Sequence, residues 1–568
     1  MRISRLRIFC FVYVALAGVL ALQFAVAQQT ALLDTSTDVL VTVHADRTTG
    51  AYSPIWNFFG ADEPNYLYAP NGQKLLHELS ALSPVPVYFR AHNLFTTGNG
   101  EGSLKWGSTN VYTEKADGSP VYDFTITDRI FDALMAAHVR PLVEIGFMPE
   151  ALSTHPEPYR HTFPKGDIFT GWTYPPKSEK KWASLVKAYA VHLKERYGTQ
   201  VDTWLWEVWN EPDIPYWHGT WEQYDRLYDI SASAIRSVLP HARIGGPEAT
   251  GISDHSAPFL KQFLDHCAHE RNAATGGMGA PLDFISYHPK GHPEFVDGHV
   301  VMSVAAQLRA VERGMEIIAA DPRWRHTPII LGESDPEGCA ACKGTQNGYR
   351  NGPLYGVSVV EATMRTYELA RRHNLKVEGA VTWAFEFEDQ PAFAGFRSLA
   401  TDGIDKAVLN AFRMMGKLGG AGTEWLAVDS NGALPLEQVL KDSVRAKPDV
   451  NAVATMRAGE INVLLWNYHD ADVEAPPAKI LLAMDGLKSA QVEETEFRMD
   501  HAHSNAYAEW QKMGSPAQPA AEQMKELQKA GALEETVTAH PVEVHGGKVN
   551  FALTIPRQGV VLVQLRQN

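Results

Sequence analysis

The chain has 568 residues, 45% of them hydrophobic, and a formal net charge of −15. That length accommodates one large domain and a smaller one. The negative charge opposes non-specific binding to a nucleic-acid backbone and favours solubility.

The first residues read as a targeting segment. Arg2, Arg5 and Arg7 precede an apolar run over 8–22, and Ala25-Val26-Ala27 supplies a small-x-small cleavage site, so residues 1–27 are expected to be a signal peptide. An uncleaved anchor is the alternative. No later stretch is long and apolar enough to span a bilayer, so the mature chain is expected to be exported, periplasmic or extracellular. Cys10 leaves with the signal. Cys339-Ala340-Ala341-Cys342 has the spacing of a local disulfide or half a zinc site. A second cysteine pair to complete the zinc site is missing, so no metal is expected, and Cys267 reads as a free buried thiol.

Residues 38–45 alternate like a half-buried strand. From residue 54 the pattern changes. Strand-like runs at 56–60, 85–90, 140–147, 204–210, 243–246, 284–288, 329–333 and 379–385 alternate with helix-like segments. The clearest helix is 178–197. Trp182, Leu185, Val186, Tyr189, Leu193 and Tyr197 form its stripe, Ser178 is suited to cap its start and Gly198 to stop it. Pro258 is suited to the first position of another helix. Eight strand-then-helix units predict an α/β fold, a (β/α)8 TIM barrel over 54–420. Past 420 the runs at 461–468, 480–484, 549–555 and 560–565 are strand-like, with Val549, Phe551, Leu553 and Ile555 in alternation. They predict a β-sandwich over 421–568 with a helix-prone insertion at 519–530. The N-terminal strand, within 28–53, is expected to join that sandwich.

Two barrel strands end in glutamate: Trp209-Asn210-Glu211-Pro212-Asp213 on the fourth, and Ile329-Ile330-Leu331-Gly332-Glu333 on the seventh. A carboxylate closing an apolar strand is costly unless it is paired or used. Active sites of such barrels lie at the C-terminal ends of the strands. Glu211 and Glu333 are therefore the candidate pair for glycoside hydrolysis, which needs one carboxyl group to protonate the leaving oxygen and another to attack or to activate water. Glu207 shares the parity of Glu211 inside the strand and is expected to pair with an interior cation such as Arg90.

These motifs resemble glycoside hydrolase family 39, the family of bacterial β-xylosidases and animal α-L-iduronidase. Tyr88-Phe89-Arg90-Ala91-His92, Val143-Glu144-Ile145-Gly146-Phe147-Met148-Pro149-Glu150 and Trp510-Gln511-Lys512-Met513-Gly514-Ser515-Pro516 (this last within the predicted sandwich) carry the likeness further. The resemblance implies a retaining enzyme without cofactor, with Glu211 as acid/base, Glu333 as nucleophile and Asn210 on the sugar 2-hydroxyl. His288-Pro289-Lys290-Gly291 and Arg397 resemble the iduronidase branch, where such cations meet a uronate. The other reading is that Lys290 and Arg397 neutralise the site's own carboxylates. His92 and His288 are candidates for sugar hydroxyls or for structural bonds, Trp383 for a stacking platform or for core, and Asp389 for a sugar contact in an otherwise solvated acidic loop.

The reading is an exported, retaining exo-glycosidase acting on oligosaccharides of plant type. A β-D-xyloside is expected first, and a uronic-acid or arabinosyl glycoside second. An endo-acting hydrolase and a carbohydrate-binding pseudoenzyme are the competing readings.

Overall fold

The computed structural model describes residues 39–102, 109–160 and 169–567. The expected signal, residues 1–27, lies outside them. Among the described residues no helix is long and apolar enough to cross a membrane.

Eight parallel strands close a barrel in chain order: Phe58–Ala61, Tyr88–Ala91, Arg140–Ile145, Leu205–Val208, Arg243–Thr250, Phe284–His288, Ile329–Leu331 and Val377–Trp383. Helices Pro70–Leu82, Thr125–Ala136, Glu179–Tyr197, Trp221–Arg236, Ser256–His269, Val304–Ala320, Pro353–His373 and Ala407–Lys417 follow them in turn. This is the (β/α)8 barrel. The helix at 179–197 starts as its sequence predicts: the Ser178 side chain accepts from Lys181 N–H, and Gly198 ends it at φ 60. The helix before the sixth strand begins earlier than expected, at Ser256. Pro258 is thus its third residue, where a missing N–H still costs no intrahelical bond.

The fifth strand runs on to Thr250 rather than stopping at Gly246, with a bulge between Pro247 and Ala249. Glycine and proline at 245–247 disfavour an uninterrupted strand. The pairing nevertheless continues on the sixth strand through Ala249–Tyr287 and Thr250–His288.

Beyond the barrel lies one nine-stranded sheet. Its order is Glu534–Glu543, Gln491–Met499, Gly559–Gln567, Glu460–Tyr468, Asp449–Arg457, Glu424–Ser430, Val39–Ala51, Ala478–Asp485 and Val549–Ile555. The N-terminal strand joins it, antiparallel to 424–430 and parallel to 478–485. Val41, Val43, Ile461, Leu465, Leu482 and Phe551 share one core, so the two halves of the sheet pack over each other.

The opposite face of this sheet packs on the barrel. Trp466 donates to Glu361 at 2.6 Å, and Arg365 bridges Glu361 (2.9 Å) and Asp449 (2.6 Å) across the interface. The insertion forms helices Ala506–Lys512 and Ala521–Gly531. It leaves the sheet: Trp510 and Tyr507 pack on Phe393, in the loop after the eighth barrel strand. Cys339 and Cys342 form a disulfide, and Cys267 is free and buried.

Candidate active site

The barrel interior is organised by Arg90, which is fully buried on the second strand. Its guanidinium bonds Glu207, lies 2.9 Å from Glu144 and 3.3 Å from Glu333, and donates to the Asn210 carbonyl at 2.9 Å. Glu207 is thus the structural carboxylate its parity predicts. Because Arg90 takes the oxygen of Asn210, that amide offers its NH2, a donor, to any further partner.

Glu211 and Glu333 come together above this layer. One oxygen of each, with one ring nitrogen of His288, lies within 4.8 Å of the others. Glu211 is reached through an irregular strand end: Trp209 has φ 72 and Glu211 φ 47. Such backbone costs a non-glycine residue about 1–3 kcal/mol and collects at functional sites. Trp204, Trp206 and Trp209 are core, and the Trp209 indole donates to the Tyr216 carbonyl at 2.8 Å, holding the loop that follows.

The two carboxylates stand in different surroundings. Burial would raise the Glu333 carboxyl, but Lys290, His288 and Arg90 outweigh it and hold the group down at about 2. Lys290 Nζ lies 2.5 Å from Glu333 and 2.8 Å from Asp335. His288 Nδ1 lies 2.9 Å from Glu211, and its Nε2 lies 2.7 Å from Glu248. Burial works against the charge on this ring, yet Glu333, Glu211 and Glu248 raise its pKa to about 9. A divalent ion would find ligand spacing between Glu211, Glu333 and His288, but Lys290, Arg90 and the imidazolium already supply the positive charge there.

The remaining candidates fall into two groups. His92 is buried on the wall of the site, with Nδ1 3.1 Å from Asp62 and Nε2 3.2 Å from Glu144. Trp383 is only 2% exposed. The Arg90 guanidinium lies 4.8 Å from its ring centroid, and its indole N–H donates to Asp62 at 3.2 Å. Both residues belong to the packed wall. Arg397 is not brought to Glu211 and Glu333. It is fully buried, 2.8 Å from Glu337 and 3.4 Å from Asp335. Asp389 is exposed on the rim, while its neighbour Glu388 caps the helix at 70–82 by accepting from the Asn71 and Gly72 N–H groups at 3.1 and 3.3 Å.

Sequence reasoning missed Asp62 and Glu248. Asp62 follows a first strand only four residues long. Glu248 lies in the bulge of a strand whose sequence reads as ending two residues earlier.

The sequence model for glycosyl hydrolases family 39 matches residues 100–547. The chain belongs to that family. This family 39 glycoside hydrolase is 28% identical to a β-xylosidase of Caldicellulosiruptor saccharolyticus over 469 residues, which are 79% of this chain and 84% of that protein. It is 24% identical to the α-L-iduronidase of Mus musculus over 562 residues, 93% of this chain and 80% of the relative. Among solved structures, a monomeric β-xylosidase from Caulobacter crescentus CB15 superposes with a TM-score of 0.73 at 22% identity, covering 93% of this chain and 99% of that one. At that identity the superposition speaks for the fold.

Proposed function

We propose that this family 39 enzyme is a retaining exo-β-D-xylosidase acting on xylo-oligosaccharides, and that its N-terminal segment exports it. The observation that carries the retaining reading is the separation of Glu211 and Glu333. One oxygen of each within 4.8 Å of the other fits a double displacement, whose carboxyl groups stand roughly 5–5.5 Å apart, better than the wider gap of roughly 6.5–9.5 Å that holds the water of an inverting enzyme. Glu333, ionised among three cations, attacks the anomeric carbon while Glu211 gives its proton to the leaving oxygen. Glu211 then takes a proton from the water that breaks the ester.

The choice of sugar rests on two supports. Relatives named as β-xylosidases align over most of their length at 25–28% identity. Both cations that a uronate would need are already engaged, Lys290 by Glu333 and Asp335, and Arg397 by Asp335 and Glu337. A uronoside is the second reading, favoured by the α-L-iduronidase relatives and by Lys290 standing at the nucleophile.

Hydrolysis of matched aryl β-D-xyloside, α-L-arabinoside and α-L-iduronide tests the choice. We expect kcat/KM to be highest on the xyloside, with xylose the single early product from a xylo-oligosaccharide ladder. Preference for the iduronide would overturn the xyloside reading. Inverted anomeric product, seen by proton NMR, would overturn the retaining one.

A further inference from the structure

Glu248 is fully buried at the end of the fifth barrel strand. It takes φ 56 in the bulge between Pro247 and Ala249, and its carboxylate reaches His288 Nε2 at 2.7 Å. The far nitrogen of the same ring, Nδ1, lies 2.9 Å from Glu211 and 3.8 Å from Glu333. The chain makes room for this arrangement. A Cβ at Gly332, the residue before the nucleophile, would lie 1.7 Å from Glu248 Oε2.

An ionised carboxylate only accepts hydrogen bonds. Glu248 therefore requires a hydrogen on Nε2 of His288, and Nδ1 becomes the nitrogen that exchanges a proton with Glu211. We propose that Glu248 is a positioning residue for the acid/base: it fixes the His288 ring so that Nδ1 and Glu211 hold one proton between them and deliver it to the departing oxygen. The proposal rests on the retaining reading of Glu211 and Glu333.

At rest His288 is an imidazolium donating through Nδ1 to the Glu211 carboxylate. When the glycosidic bond breaks, that proton passes to Glu211 and on to the leaving oxygen, while Glu333 forms the ester. His288 is then neutral, still donating through Nε2 to Glu248. In the second half, water adds to the anomeric carbon, the ester bond breaks, and the proton lost by water returns through Glu211 to Nδ1. One water is consumed per bond cleaved.

The surrounding charges support a cationic ring. Glu211, Glu248 and Glu333 face it from three different strands. Lys290, two residues along from His288, is directed to Glu333 and Asp335. Arg90 lies 4.0 Å from Glu248. Burial and the neighbouring Glu248 push the Glu207 carboxyl up, whereas Arg90 and His288 outweigh burial and hold the Glu248 carboxyl down.

Two variants test the proposal. Glu248→Gln removes the charge at nearly constant shape, and Gly332→Ala displaces the carboxylate without changing it. The His288 ring titration is read by nitrogen-15 NMR of histidine-labelled enzyme, assigned by the difference from His288→Gln. We expect it to fall by at least about one pH unit in either variant. In Glu248→Gln the loss of kcat/KM is expected to be about tenfold or more on an alkyl xyloside and slight on a dinitrophenyl xyloside, which needs little protonation. An unchanged ring titration, or equal loss on both substrates, would overturn the proposal. If Glu248→Gln does not fold by circular dichroism, the Gly332→Ala titration decides. The titration needs no substrate, so a wild-type enzyme giving inverted product would sink the retaining reading separately.

Discussion

Lys290 reaches from the end of the sixth barrel strand to place its ammonium 2.5 Å from Glu333 on the seventh. That contact helps hold the Glu333 carboxyl, the proposed nucleophile, ionised in a buried site, and its removal has a definite sign. In Lys290→Met the Glu333 pKa rises from about 2 by roughly 1–3 units. Glu333 must be ionised to attack, so the acidic limb of kcat/KM moves to higher pH by the same amount on every sugar. An unmoved limb would show that Lys290 does not tune the nucleophile, and loss confined to uronosides would make it a reader of substrate.

The two carboxylates separate by their variants. Glu333→Gly is expected to lose several orders of magnitude in kcat, with azide restoring turnover as a glycosyl azide of inverted configuration. Glu211→Ala is expected to spare activated leaving groups and penalise poor ones. Rescue by azide with the configurations exchanged would reverse the assignment.

Arg90 is the cation on which Glu144, Glu207 and Glu333 depend. Arg90→Met leaves those buried charges uncompensated, at a cost of about 3–5 kcal/mol. Urea denaturation measures this; a change below about 1 kcal/mol would mean that the carboxylates simply take up protons.

Glu386 carries the opposite pH signature. Burial raises its pKa to about 8, partly offset by the Gly403 N–H bonded at 2.6 Å. A carboxyl group raised on folding contributes stability that is complete below its unfolded pKa, near 4.5, and is lost as pH climbs to about 8. Glu386→Gln should therefore gain on wild type across that window, by up to roughly 1.4 kcal/mol per pH unit. Parallel stability curves for the two proteins would contradict this.

The barrel and the two carboxylates proposed as its catalytic pair are legible in the sequence because each announces itself locally. Strands four and seven are apolar runs that stop at a carboxylate, and the helix at 179–197 shows its stripe and both ends. Glu248 is hidden because a bulge lengthens the fifth strand past Gly245-Gly246-Pro247, residues that disfavour a continued strand. Trp383 and Arg397 show a different limit. Position along the chain brings both near the mouth, but Arg90 and Asp62 hold the indole, and Asp335 and Glu337 hold the guanidinium. These partners come from other strands and loops and leave no local signal. The outer strands at 491–499 and 534–543 escape a sequence reading because glutamates interrupt their apolar alternation.

The strand at 39–51 lies between 424–430 and 478–485 in the second domain's sheet, so synthesis on the ribosome separates neighbours that must pair. This segment is made ahead of the barrel, and the whole barrel is made before its partners appear. Until then it is an unpaired edge, a form prone to wrong association. The small domain is therefore not a detachable C-terminal block. Cutting the gene after the barrel strands its first strand, whereas a circular permutation carrying residues 39–51 to the end of the chain would make the domain continuous.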